Sequence, residues 1–144
     1  MKNWLMRWQE LKEKHPKGVL YLISALLPMT IMLVVWFFMG SYPFGNKSLM
    51  AVDFGQQYIS FFGLLKNAIL SGDLSSLTYS FTKSIGGDMI GVLGYYLMSP
   101  FNIIYIILPF KYYGLAVFLT IWLRYGAIGL SFAHLVVKRY KGAE

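Results

Sequence analysis

Residues 18–40 carry no charged side chain. As an α-helix they rise about 34 Å, at about 1.5 Å per residue, enough to cross the hydrocarbon core of a bilayer. Backbone placed in hydrocarbon has to satisfy its own hydrogen bonds, so such a run dictates a helix and makes lipid the solvent. The composition agrees: charged residues are 13% of the 144-residue chain and hydrophobic residues 57%, against roughly 25% charged in soluble domains.

Two further stretches are apolar. Residues 112–137 hold a single charge, Arg124, and read as a second full span. Residues 89–110 are uncharged, but Gly91, Gly94, Pro100 and Pro109 interrupt them, which suits a membrane-dipping or juxtamembrane helix covered by other protein. The basic residues gather at the two ends. Lys2, Arg7, Lys12, Lys14 and Lys17 lie in the flank 1–17, whose Trp4, Trp8 and Leu11 fall at helical spacing as in an interfacial amphipathic helix. Lys138, Arg139 and Lys141 lie in the tail 138–144. Positive flanks stay cytoplasmic, so two full spans with both ends inside are favoured, and three spans are the alternative. On either count residues 41–88 form a large first extracytoplasmic loop. The expected fold is an all-α membrane protein with juxtamembrane or re-entrant helices in that loop, and no linker divides the chain into domains.

Several functions are excluded. The net charge of +7 sits beside apolar runs, which matches anionic lipid rather than nucleic acid. The chain has no cysteine, which removes disulfides, thiolate metal sites and thiol nucleophiles. No Walker A loop, nucleophile elbow, zinc-protease helix or dinucleotide fingerprint occurs. The first apolar run is too long for a cleaved signal and reads as an anchor.

The chemistry-bearing residues lie in and after the loop. Tyr42-Pro43-Phe44-Gly45-Asn46 is turn chemistry. Beyond it, Tyr58, Phe61, Phe62, Leu65 and Ile69 make one face of an amphipathic helix, with Gln57, Ser60, Lys66 and Asn67 on the other. Asp53 admits two readings. With Gln56 it has the spacing of a capping box; as a carboxylate at the membrane face it can act as a general base on an acceptor hydroxyl. Gly86-Gly87-Asp88 reads as a plain turn or as a tight loop offering backbone N–H groups to a phosphate. Asp88 is a candidate second carboxylate or metal ligand, although no spacing demands a metal. Arg124, inside an apolar run, either pairs with an acid, snorkels, or holds a lipid phosphate. His134 is lone and reads as structural.

Tyr42-Pro43-Phe44-Gly45, Asp53-Phe54-Gly55-Gln56-Gln57-Tyr58, Gly86-Gly87-Asp88 and Gly94-Tyr95-Tyr96-Leu97-Met98-Ser99-Pro100-Phe101-Asn102 follow the anchor in that order. As an ordered set they resemble the bacterial YfhO membrane-protein family. The resemblance implies a polytopic glycosyltransferase of the GT-C type. Such an enzyme takes a polyprenyl-phosphate-linked sugar donor and acts outside the bacterial cytoplasmic membrane on a cell-envelope polymer such as teichoic or lipoteichoic acid. It implies that Asp53 is the essential acidic residue of the first outer loop; Asp88, Arg124, Gln57 and Tyr58 are the substrate-binding candidates beside it. Family members are several-fold longer, so the chain is expected to be an N-terminal portion that needs the remainder of its parent for activity. The competing class is a non-enzymatic membrane module, a transporter or flippase-associated subunit, which needs no catalytic acid.

Overall fold

The computed structural model describes residues 16–81 and 86–140; the amphipathic stripe expected over 3–14 and the last residues of the basic tail lie outside them. The described residues are helical, with one two-stranded ribbon among them. Helix α1 is Pro16–Met39, and Pro16 at its first position uses the ring's fixed φ where no N–H partner is needed. Helix α2 is Ile59–Ser71, entered through a π-helix at Phe54–Tyr58. Strands β1 (Tyr79–Ser80) and β2 (Gly87–Asp88) pair antiparallel, Tyr79 with Asp88 and Ser80 with Gly87. Helix α3 (Ile90–Val92) runs into a second π-helix, Leu93–Leu97. Helix α4 is Ile103–Ile107 and helix α5 is Tyr113–Arg139.

Two helices, Pro16–Met39 and Phe110–Arg139, are long and apolar enough to cross a membrane. The run between them is broken, as its glycines and prolines foretell. Ile90–Leu97 and Pro100–Ile107 meet at 89°, the geometry of a broken span or a re-entrant segment. Side chains that would be misplaced in water are at home here: Leu27 is 57% exposed and Phe38 81%, and lipid tails replace water as their surroundings.

Contacts divide the chain into two compact units, Met1–Trp36 with Trp122–Glu144, and Phe37–Ile121. In the first unit the backbones of α1 and α5 approach closely. Pro28 has no N–H for the carbonyl of Ser24, four residues before it. Gly129 lies against that carbonyl, and a Cβ at Gly129 would collide with it. A Cβ at Gly126 would stand 2.6 Å from Met29 Sδ. Small residues at the seam are what allow such an approach in lipid. Trp122 Nε1 donates to the Met29 carbonyl at 3.1 Å, and the Tyr21 hydroxyl lies 3.4 Å from His134 Nδ1.

The second unit has its own core of Phe62, Leu65, Leu77, Met89, Leu97, Tyr105 and Val117. The Tyr105 and Phe62 rings stack at 3.9 Å between centroids. The two faces of α2 depart from expectation at two positions. Ile69 is exposed, and Lys66, expected on the polar face, is buried at 8% exposure. Its Nζ donates to the Leu108 carbonyl at 2.5 Å and lies 5.2 Å from the Phe110 ring centroid. Leu108 follows α4 directly, in extended conformation before Pro109, so Lys66 supplies a donor to a carbonyl left open by the break. A second open end is closed by Asn102, 1% exposed, whose Nδ2 donates to the carbonyls of Tyr96 at 2.9 Å and Leu97 at 3.1 Å.

Two stability outcomes follow from these contacts. Gly129→Leu overpacks the seam of the first unit and should lower the melting temperature in detergent, at a cost of about 1–3 kcal/mol, whereas the lipid-facing Leu130→Ala should change it little. Lys66→Met leaves the Leu108 carbonyl without its charged donor and should cost about 1.5–3 kcal/mol, read as earlier thermal unfolding of the purified protein.

Candidate functional site: a carboxylate beside a tyrosine shelf

Three aspartates fall within the described residues, and two of them serve local structure. Asp73 accepts from Ser75 N at 3.0 Å and from Ser75 Oγ at 2.5 Å, and these bonds hold its carboxyl below the ordinary carboxylate range. Asp88 Oδ1 accepts from Ile90 N at 3.1 Å, which ties it to the start of α3. Gly87 and Asp88 belong to the ribbon, so the glycine pair serves a hairpin end.

Asp53 differs. The capping-box expectation fails at this residue: its side chain makes no cap hydrogen bond. Its dihedrals explain why. A capping residue has extended φ/ψ so that its oxygen folds back over the first turn, but Asp53 is already helical at φ −57° and ψ −31°. The change of direction falls one residue earlier. Val52 has φ +50°, a left-handed conformation that a β-branched side chain rarely adopts. Such strain persists only where the surroundings enforce it, and it gathers at functional sites. Here the enforcement is visible: Phe54 N donates to Ala51 O at 3.1 Å and Gln56 N to Val52 O at 3.2 Å. Gly55 allows the Met50 carbonyl to come within 2.7 Å of where a Cβ would stand. The result is an exposed carboxylate at the head of a π-helix, a feature frequent at functional sites.

The second π-helix supplies the other half of the site. Tyr58 stacks on Phe54 at 5.2 Å and meets Tyr96 edge-on at 4.5 Å. Tyr96 contacts Tyr95 at 4.6 Å and Phe61 at 5.6 Å. Tyr95 is 80% exposed. The two π-helices thus join into one shelf of aromatic rings, with Asn102 fixing the end that carries Tyr96. Desolvation chiefly raises the Tyr58 phenol above its ordinary value, helped by its hydrogen bond to Tyr96 and by the charges of Tyr96, Tyr95 and Asp53. That last influence ties Asp53 electrostatically to the shelf.

Of the residues expected to act together, Asp53, Gln57 and Tyr58 share the first π-turn and its head. Gln57 is exposed. Arg124 is half-buried in α5, has interactions of its own, and belongs to the first unit. Tyr95 and Tyr96 were not singled out by sequence reasoning; the signal available was their place in the Gly94–Asn102 motif. Among the described residues no group of three or more His, Asp or Glu side chains is placed to hold a metal ion.

Two helices long and apolar enough to cross a membrane, with one bent apolar pair between them in sequence, define an α-helical integral membrane protein. Residues 24–144 match the family described as bacterial membrane protein YfhO, and the chain belongs to that family. No match is found among curated proteins or among solved structures.

The electrostatic link has a measurable consequence. A raised phenol keeps its proton in the folded state at a pH where the unfolded chain releases it, so this group's contribution to stability is full below pH 10.0 and falls as pH rises past that value. In an ultraviolet titration, Tyr58→Phe should remove a late-titrating phenolate, and Asp53→Asn should bring that phenol's titration down.

Proposed function

We propose that the second unit carries the acceptor-activating part of a polyprenyl-phosphate-dependent glycosyltransferase, with Asp53 as its general base. The observation that carries this reading is the exposed Asp53 carboxylate, released from capping by its helical dihedrals, at the head of the π-turn whose Tyr58 meets Tyr96 in the aromatic shelf. A pyranose presents a C–H face and a rim of hydroxyls. Tyrosine rings accept the face, and a carboxylate accepts hydrogen bonds from the rim. Membership of the YfhO family supports the membrane setting.

In the proposed step an acceptor hydroxyl attacks the anomeric carbon of the lipid-linked sugar. Asp53 takes the hydroxyl proton as the new carbon–oxygen bond forms. The bond from the anomeric carbon to the phosphate oxygen breaks, and its electron pair leaves with the lipid phosphate. Attack opposite the leaving group inverts the anomeric centre. A guanidinium suits the phosphate that departs. Gln57 and Asp88 are proposed to contact substrate hydroxyls. The reaction takes place on the outer face of the bacterial cytoplasmic membrane, with both chain ends inside and residues 41–88 outside. The acceptor is a cell-envelope polymer such as teichoic or lipoteichoic acid.

Asp53→Asn, introduced into the protein in its own cells, should reduce sugar on the envelope polymer by about 10²-fold or more, measured by NMR of the isolated polymer at matched protein level. Full glycosylation by that variant would overturn the assignment.

A further inference from the structure

A cavity of about 420 Å³ opens in the second unit, against the loop that joins α1 to the first π-helix. Its walls include Tyr42, Asn46, Ser48, Leu49, Met50 and Gly114. The volume lies in the range of small-molecule sites, which combine apolar walls with a few placed polar groups. The loop is folded tightly enough to hold that shape. Tyr42 N donates to Lys47 O at 2.9 Å and Lys47 N to Gly40 O at 3.1 Å. Gly45 lies against the Gly40 backbone, where any Cβ would collide. Ser48 Oγ accepts from Met50 N at 3.0 Å, which leaves its hydroxyl proton for a ligand.

The lining selects the ligand class. A phenol, a carboxamide and a hydroxyl both donate and accept, while Leu49 and Met50 offer apolar surface. No lining residue carries a formal charge. A phosphate or carboxylate would enter without a counter-charge on the wall, which disfavours an anion. An uncharged ring with hydroxyls on its rim and C–H groups on its face matches both parts of the lining.

The cavity is coupled to Asp53 through backbone. Met50 lines it, and its carbonyl packs on Gly55 inside the π-helix that follows Asp53. Met50 and Asp53 are three positions apart in the chain, so their Cα atoms are at most about 11 Å apart. We infer that this cavity, built by the Tyr42–Met50 loop and Gly114, is a binding subsite for a neutral pyranosyl ring that delivers the sugar or its acceptor to Asp53. The placement relative to chemistry rests on the glycosyl-transfer reading above; the binding itself does not.

The test is a titration of the purified protein in lipid nanodiscs with methyl pyranosides, followed by saturation-transfer NMR. Saturable binding is expected. Asn46→Ala should weaken it about tenfold, which is about 1.4 kcal/mol, and Gly114→Leu, which fills the cavity, should abolish it. Helical circular dichroism and melting of each variant establish that it is folded, and Asn46→Ala, at an exposed position, keeps the test sound should Gly114→Leu unfold. Absence of binding by every pyranoside, equal binding by Asn46→Ala, or binding of glycerol phosphate in their place would overturn the inference. Loss of envelope glycosylation in Asp53→Asn together with no pyranoside binding would sink the subsite alone. Pyranoside binding that responds to Asn46→Ala, with glycosylation intact in Asp53→Asn, would uphold the subsite and sink the general base alone.

Discussion

Open carbonyl oxygens in a place with little water govern this fold. A helix that crosses lipid unbroken satisfies its own backbone, and α1 does so apart from the Ser24 carbonyl that Pro28 leaves open, as does most of α5. The segment between them is bent by 89°, and each bend exposes carbonyls that hydrocarbon does not solvate. Asn102 closes one end with two hydrogen bonds from a single carboxamide. Lys66 closes the other by reaching from α2 to Leu108. These polar side chains are buried because the broken backbone needs donors. The loop helix and the bent segment are therefore joined by hydrogen bonds to specific atoms as well as by apolar packing.

The candidate site follows from that join. Asn102 fixes the carbonyl of Tyr96, and the Tyr96 ring meets Tyr58. A π-turn lies on each side of the contact, in Phe54–Tyr58 and Leu93–Leu97. Each turn holds one residue more than regular helix and so re-aims the side chains that follow. On one side the strained Val52 sets Asp53 at the head of the turn; on the other, Tyr95 projects outward. The shelf and the carboxylate thus derive from two motifs roughly forty residues apart in sequence.

The spans were legible in the sequence because a lack of charge over residues 18–40, and over 112–137 but for Arg124, is a one-dimensional signal. The break between them was legible for the same reason, since Pro100 and Pro109 act locally. Lys66 was not legible. Helical periodicity assigns a lysine to solvent, and only the position of the Leu108 carbonyl, 42 residues on, reverses this. Asp53 misled in another way: capping-box spacing carries no information about dihedrals, and the left-handed Val52 moves the turn one residue back. The Tyr58–Tyr96 contact is a long-range pairing of two aromatics among the chain's many, and no local pattern selects it.

The seam between α1 and α5 in the first unit also bears on how the chain is made. Met29 and its donor Trp122 are 93 residues apart. At ordinary translation rates of about 5–20 residues per second, the partner emerges roughly 5–20 s after Met29. During that interval the Ser24 carbonyl, freed by Pro28, has no Gly129 backbone against it. The nascent first helix therefore spends those seconds with one backbone acceptor open, in a solvent that offers it no donor.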